Sequence, residues 1–166
     1  MQVNIALLTV TDTRTIDNDK SGKILIQKIK ESNHILVDRK IVKDEKNEIK
    51  KILLDWTKKN TLDVILITGG TGLTGRDITP EAVSEIADKK IPGFGELFRE
   101  LSYKTIGTSA MQSRACAVLS NGKYIFALPG SSGGVTDAWE GILKYQLDIN
   151  HKPCNFVELF PRLKEK

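Results

Sequence analysis

Cysteine is scarce in this chain. The two present, Cys116 and Cys154, lie far apart with no His or Cys neighbour at zinc-ligand spacing, which argues against a disulfide framework and a zinc site. A reducing compartment, the cytoplasm, is the expectation. No apolar run approaches the length of a membrane span, and the first residues, MQVNIALLTV, lack the basic region and small-residue cleavage site of a signal peptide. Also missing is any Lys/Arg run interleaved with aromatics, so the formal charge of +4 comes from lysines scattered among acids, chiefly between Lys40 and Lys59. The expected partners are therefore small anions, neither nucleic acid nor membrane. There are no internal repeats and no low-complexity tract. At 166 residues, 40% of them hydrophobic, the chain has the length for one substantial core, and one domain over 1–166 is expected, with 150–166 as a tail.

What is there is organised as strands alternating with helices. Val3 to Val10 is a continuous apolar run, as in a strand covered on both faces. A polar stretch, TDTRTIDNDKSG at 11–22, leads to a helix over Lys23 to Glu31. Ile35 to Val42 reads as a second strand. Ile49, Ile52, Leu53 and Trp56 then fall on one helical face. Val64 to Thr68 is a third strand, and helices are expected over Pro80 to Ala87 and Phe94 to Tyr103. Ala115 to Leu119 and Tyr124 to Leu128 flank Asn121-Gly122, a hairpin signal that makes one strand antiparallel. The loop Pro129 to Gly134 then feeds a last helix carrying Trp139, Ile142 and Leu143. The pattern predicts an α/β fold: a mostly parallel sheet with helices on both faces and ligands beyond the carboxyl ends of the strands.

The most informative run is VILITGGTGLTGRDITPE, residues 64–81. A buried-looking strand enters four glycines, which allow positive φ and close approach of amide N–H groups to a ligand. Thr68, Gly69, Gly70, Thr71 and Gly72 form a candidate phosphate cradle. Thr79 is expected as N-cap with Pro80 at the first helical position, leaving Gly75, Arg76 and Asp77 on an ordered loop. Gly70-x-Gly72-x-x-Gly75 matches the dinucleotide fingerprint literally. That fingerprint opens its helix within the glycines and carries an acid at the end of the next strand, whereas here the helix starts late and Asp88 is expected within it. No Gly-Lys-Ser/Thr closes the run, which excludes a Walker A loop.

Four segments together resemble one known family: TGGTGLTGRDITPEA at 68–82, IPGFGELFR at 91–99, IGTSAMQSRA at 106–115 and FALPGSSGGVTDAWEGIL at 126–143. The chain is similar over nearly its whole length to the MoaB/MogA family. GTSAMQSRA, AWEGIL and the later HKPCNF look closer to MoaB. The resemblance implies a three-layer α/β/α domain and a role in molybdenum cofactor biosynthesis. Active members move AMP from Mg-ATP to the terminal phosphate of molybdopterin and release pyrophosphate. It implies a homo-oligomer, with a hexamer built as a dimer of trimers favoured over a trimer.

Carried over by motif, Asp77 and Asp44 match the family's two carboxylates, with Asp77 the stronger candidate for Mg²⁺. Each also has a structural reading, Asp77 as an Asx-turn and Asp44 as a helix N-cap. Arg76 stands equally between neutralising phosphate and pairing with Asp77 or Glu81. Gly69, Gly70, Thr71 and Gly72 are assigned to the nucleotide, with Gly130, Ser131 and Gly133 adding donors. Ser113 and Arg114 match the molybdopterin-side loop, or form a surface turn. Thr11, Asp12 and Ser21 match a polar family loop, or act as turn and cap residues. The chain departs from the family at Ser132, where a proline is common. A non-catalytic binding paralogue is the alternative function, and a CinA-type pyrophosphatase shares the cradle. A MoeA-like enzyme needs domains for which 166 residues leave no room.

Overall fold

The sheet dictates where everything else sits. The computed structural model describes residues 1–165, and its six strands are β1 (Asn4–Val10), β2 (Ile35–Val42), β3 (Val64–Thr68), β4 (Lys89–Lys90), β5 (Cys116–Ser120) and β6 (Lys123–Leu128). Their order is β2-β1-β3-β6-β5-β4. β2, β1, β3 and β6 are mutually parallel, and β5 runs antiparallel to both of its neighbours, β6 and β4. The hairpin between β5 and β6 turns at Asn121 and Gly122, both with positive φ (47° and 71°), as an Asn-Gly turn requires.

Helices α1 (Lys20–Glu31), α2 (Lys46–Thr57), α3 (Thr79–Glu85), α4 (Pro92–Ile106), α5 (Ser132–Ala138) and α6 (Lys144–Gln146) cover the sheet, with a π-turn over Trp139–Leu143 joining the last two. Side chains alternate between the two faces of a strand. Ile5, Leu7, Leu66 and Phe126 accordingly face Leu25 of α1, Phe98 of α4 and Val135 of α5. Leu8, Ile65, Ile67 and Ile125 face Ile49, Leu53 and Trp56 of α2 and Val83 of α3. The result is the expected α/β/α arrangement, with both tryptophans fully buried in it.

Several boundaries differ from expectation, for local reasons. α1 begins at Lys20 because Asp19, not a later residue, is its N-cap, accepting from the Gly22 amide. α5 begins at Ser132, inside the stretch expected to be loop, because Ser131 caps it by accepting from the Gly134 amide at 3.1 Å. The position where the family commonly has proline is thus the first residue of a capped helix. Thr79 does not cap α3, whose N-cap residue is Ile78 and whose second residue is Pro80. Asp88 lies beyond the end of α3, where its carboxylate accepts from the Asn121 amide. A two-residue strand, β4, occupies the expected connection before α4. In the tail, Phe156 and Phe160 pack on Tyr124, at ring-centroid distances of 4.7 and 5.8 Å.

Candidate functional site

The segment after β3 is shaped by two glycines that no other residue could replace. Gly69 and Gly70 have φ of 105° and 67°, in the region L side chains avoid. A Cβ on Gly69 would lie 2.1 Å from the Val10 carbonyl oxygen, and one on Gly70 would lie 2.4 Å from Thr79 Oγ1.

The carbonyls of Gly69 to Gly72 are each tied to the protein. The Thr79 hydroxyl donates to Gly69 O (2.9 Å) and its amide to Gly70 O (3.0 Å). The Arg114 amide donates to Thr71 O (2.9 Å), and Arg114 Nε donates to Gly72 O (2.7 Å). Among the described residues, the amides of Gly70 and Thr71 donate to no protein acceptor. With oxygens pinned back and N–H groups unspent, the loop is a concave cluster of donors suited to an anion.

This loop forms one wall of an open cleft of about 450 Å³ at the carboxyl edge of β1, β3 and β6. Of the residues expected at a site, the cleft brings together Thr11, Asp44, Gly69, Gly70, Thr71, Gly72, Asp77, Ser113, Gly130 and Ser131. Asp12 and Arg114 stand off its wall. Asp12 accepts a two-point contact from Arg76 (2.9 and 3.0 Å), which also reaches Glu45 (3.0 Å). Arg76 therefore pairs with Asp12 and Glu45, not with Asp77 or Glu81, and holds the Asp12 carboxyl below its ordinary pKa. Arg114 braces the glycine loop, donating also to Asp77 O (2.8 Å) and pairing with Glu81. Ser21 sits beneath the cleft, bonded to Asp19, Arg14 and Thr68. Gly133 lines an adjoining hollow of about 400 Å³ that shares Ser113, Pro129 and Ser131 with the cleft.

The two carboxylates differ. Asp77 Oδ2 accepts from the amide and hydroxyl of Thr74, three residues before it, at 2.9 and 2.7 Å, so Asp77 does hold its own loop, but not by the expected Asx-turn, whose donor amide would lie two residues further on. Burial opposes its ionisation, but the Thr74 bonds, the Gly72 amide and the charge of Arg114 outweigh it and lower the pKa. Asp44 does not cap α2, whose N-cap residue is Glu45. Burial, then the nearby charge of Asp12, with a smaller part from Asp77, raises its pKa against the opposing pull of Arg76. A carboxylate destabilised by burial and by other carboxylates favours the approach of a cation.

Besides Val10 and Pro129, three lining residues with polar side chains escaped the sequence reading: Thr13, Arg14 and Gln112. Arg14 carried the one available signal, a cation within the polar loop following β1. Asp19, fully buried and bonded to Thr9, Ser21, Gly22 and Arg39, was equally unmarked.

A glycine loop at the carboxyl edge of a mostly parallel sheet, sharing a cleft with two acids, marks an α/β/α domain with its cleft at the strand ends, and its family can be stated. Residues 6–148 match the family described as "Probable molybdopterin binding domain", and the chain belongs to it. Molybdenum cofactor biosynthesis protein B of Escherichia coli (strain K12) is 45% identical over 97% of this chain and 93% of its own. A crystal structure of a molybdenum cofactor biosynthesis protein B superposes with a TM-score of 0.89 at 41% identity, covering 100% of this chain and 98% of the other. A MogA structure gives 0.79 at 28%, covering 87% and 95%. The B-type likeness expected from GTSAMQSRA and AWEGIL accords with these figures. No helix of the described residues is long and apolar enough to cross a membrane.

Proposed function

We propose that this protein is a molybdopterin adenylyltransferase of molybdenum cofactor biosynthesis. A phosphate oxygen of molybdopterin attacks the α-phosphorus of ATP, a new P–O bond forms, and the bond to the β-phosphate oxygen breaks to release pyrophosphate. One observation carries the reading: the unspent amides of Gly70 and Thr71 share a cleft with Asp44 and Asp77. Joining two polyanions calls for fixed neutral donors and a cation more than for a protein nucleophile.

The residues fit Mg²⁺. Among the described residues no group of three or more His, Cys, Asp or Glu is arranged to hold a metal alone. Mg²⁺ commonly keeps waters and takes only one or two carboxylates besides phosphate oxygens. Asp44 and Asp77 would hold it, and when bound it neutralises phosphate charge. The chain itself supplies the nucleotide cradle, Ser131 on the neighbouring loop and Ser113 at the junction of cleft and hollow, where the pterin phosphate would be held. Assembly as a hexamer is part of the proposal, and sedimentation tests it.

A binding-only role is favoured by one feature, the commitment of Arg114 and Asp77 Oδ2 to holding the loop. Incubation with molybdopterin, ATP and Mg²⁺, read by mass, separates the two. Pterin-dependent adenylyl-molybdopterin establishes the transferase. Intact substrates with measurable binding establish the binding role, and AMP release without pterin establishes a pyrophosphatase.

A further inference from the structure

The cleft has an imbalance of charge. Its acids, Asp44 and Asp77, share a sign with any phosphate that enters, and the glycine amides are neutral donors. Among the described residues, Arg14 is the one basic side chain on its wall. The other nearby arginines are occupied, Arg76 by Asp12 and Glu45 and Arg114 by the glycine loop and Glu81.

Arg14 is fixed at one nitrogen and open at two. Nη1 donates to Gly130 O at 2.9 Å and to Ser21 Oγ at 3.0 Å. Nε and Nη2 donate to no protein atom among the described residues, and neither is shut off from solvent. The competing explanation makes Arg14 the counter-ion of buried Asp19. Distances decide against it: Arg39 Nη2 hydrogen-bonds Asp19 Oδ2 at 3.1 Å, whereas Arg14 Nη1 stands 3.9 Å from Oδ1 and is directed at Gly130 and Ser21. Asp19 already has its cation. A guanidinium anchored by one corner, on a side chain that lines the cleft and with the rest of its planar fork unpaired, has lost most of its rotamer freedom before any ligand arrives.

The geometry points to Arg14 as the residue that recognises the polyphosphate end of the nucleotide, the part that leaves as pyrophosphate. The inference rests on the nucleotide reading above and adds to it a specificity determinant. Arg14 selects for phosphate charge from the loop between β1 and α1, while the glycine amides on the β3 side supply neutral donors. It would touch phosphate oxygens through Nε and Nη2 without surrendering the Gly130 contact.

The test measures binding of inorganic pyrophosphate, ATP and adenosine, each with Mg²⁺, to the wild type, Arg14→Gln and Arg14→Lys by calorimetry. Removing a charge-assisted fork should weaken pyrophosphate and ATP by roughly ten- to a hundred-fold. Adenosine affinity should stay within about two-fold, and Arg14→Lys, a point charge without the fork, should recover only part of the loss. Wild-type-like pyrophosphate affinity in Arg14→Gln, with ATP still bound, would overturn the inference and leave the nucleotide reading standing. A parallel loss of adenosine affinity would overturn it too, by showing a distorted cleft. A wild type that binds neither ATP nor pyrophosphate would remove both.

Discussion

Arg114 ties down Gly72: its Nε donates to the Gly72 carbonyl at 2.7 Å, while Arg114 itself is not among the residues lining the cleft. With its own amide on Thr71 O and Nη2 on Asp77 O, it secures three carbonyls of one loop. Lysine would keep the amide contact to Thr71 but cannot span the Gly72 and Asp77 carbonyls with one ammonium. Arg114→Lys should lower stability by about 1–2 kcal/mol, a Tm loss of roughly 2–8 °C for a chain this size, and weaken nucleotide binding about ten-fold. Unchanged affinity together with an unchanged Tm would show that the loop keeps its shape unaided.

Gly70 offers a sharper test of the cradle. Alanine there meets a positive φ worth about 1–2 kcal/mol and a Cβ 2.4 Å from the Thr79 hydroxyl. Gly70→Ala should fold less stably and lose nucleotide binding, measured by chemical denaturation and calorimetry. Alanine at Gly75, where nothing lies within 4 Å of an added Cβ, should retain wild-type stability and serve as the control.

Asp44 should trade stability for chemistry. Its folded pKa lies above the ordinary value of 3.8, raised by burial and by neighbouring acids. The folded state therefore binds its proton more tightly, and stability falls as pH rises from about 3.8 through the folded pKa. Asp44→Asn removes that penalty. The variant should melt higher than the wild type at pH 7, show no such gain near pH 3.5, and lack adenylyl transfer. A lower Tm at pH 7 would contradict the electrostatic account.

Asp19 has the opposite sign. Burial pushes its pKa up, but bonds from Thr9, Gly22 and Arg39 outweigh burial and leave it below 3.8. Its contribution is complete above the unfolded value and disappears as pH falls through the folded one. Asp19→Asn leaves Arg39 without its anion and should cost about 3 kcal/mol at pH 7, with the difference from wild type shrinking in acid. Equal melting curves at pH 7 would refute this role.

How legible all this was depends on how local the cause is. Apolar runs such as Val64 to Thr68 and the Asn121-Gly122 turn carry their conformation within a few residues, so strands and hairpin could be read directly. The cradle glycines were legible for the same reason. Helix starts were less so, because Asp19 and Ser131 are two of several cap formers in their loops and only the chain's path selects among them. Partnerships across the fold had no sequence signal. Arg76 meets Asp12 across 64 positions, and Arg114 meets Gly72 across 42. The family resemblance placed Arg114 near the pterin. In the structure its nitrogens are spent on the loop and on Glu81, and Arg14, three residues from Thr11, faces the cleft instead.

β5 reverses the direction of travel. Where neighbouring strands run alike, one edge of a sheet collects only residues on their way out of strands, and those on their way in gather at the far edge. By running backward, β5 delivers its upstream segment, Ser113 and Arg114, to the same edge as the exits from β3 and β6. A lengthened or shortened turn at Asn121-Gly122 would therefore act at a distance, pushing Ser113 out beyond that edge or drawing it back by a strand step for each residue of altered pairing.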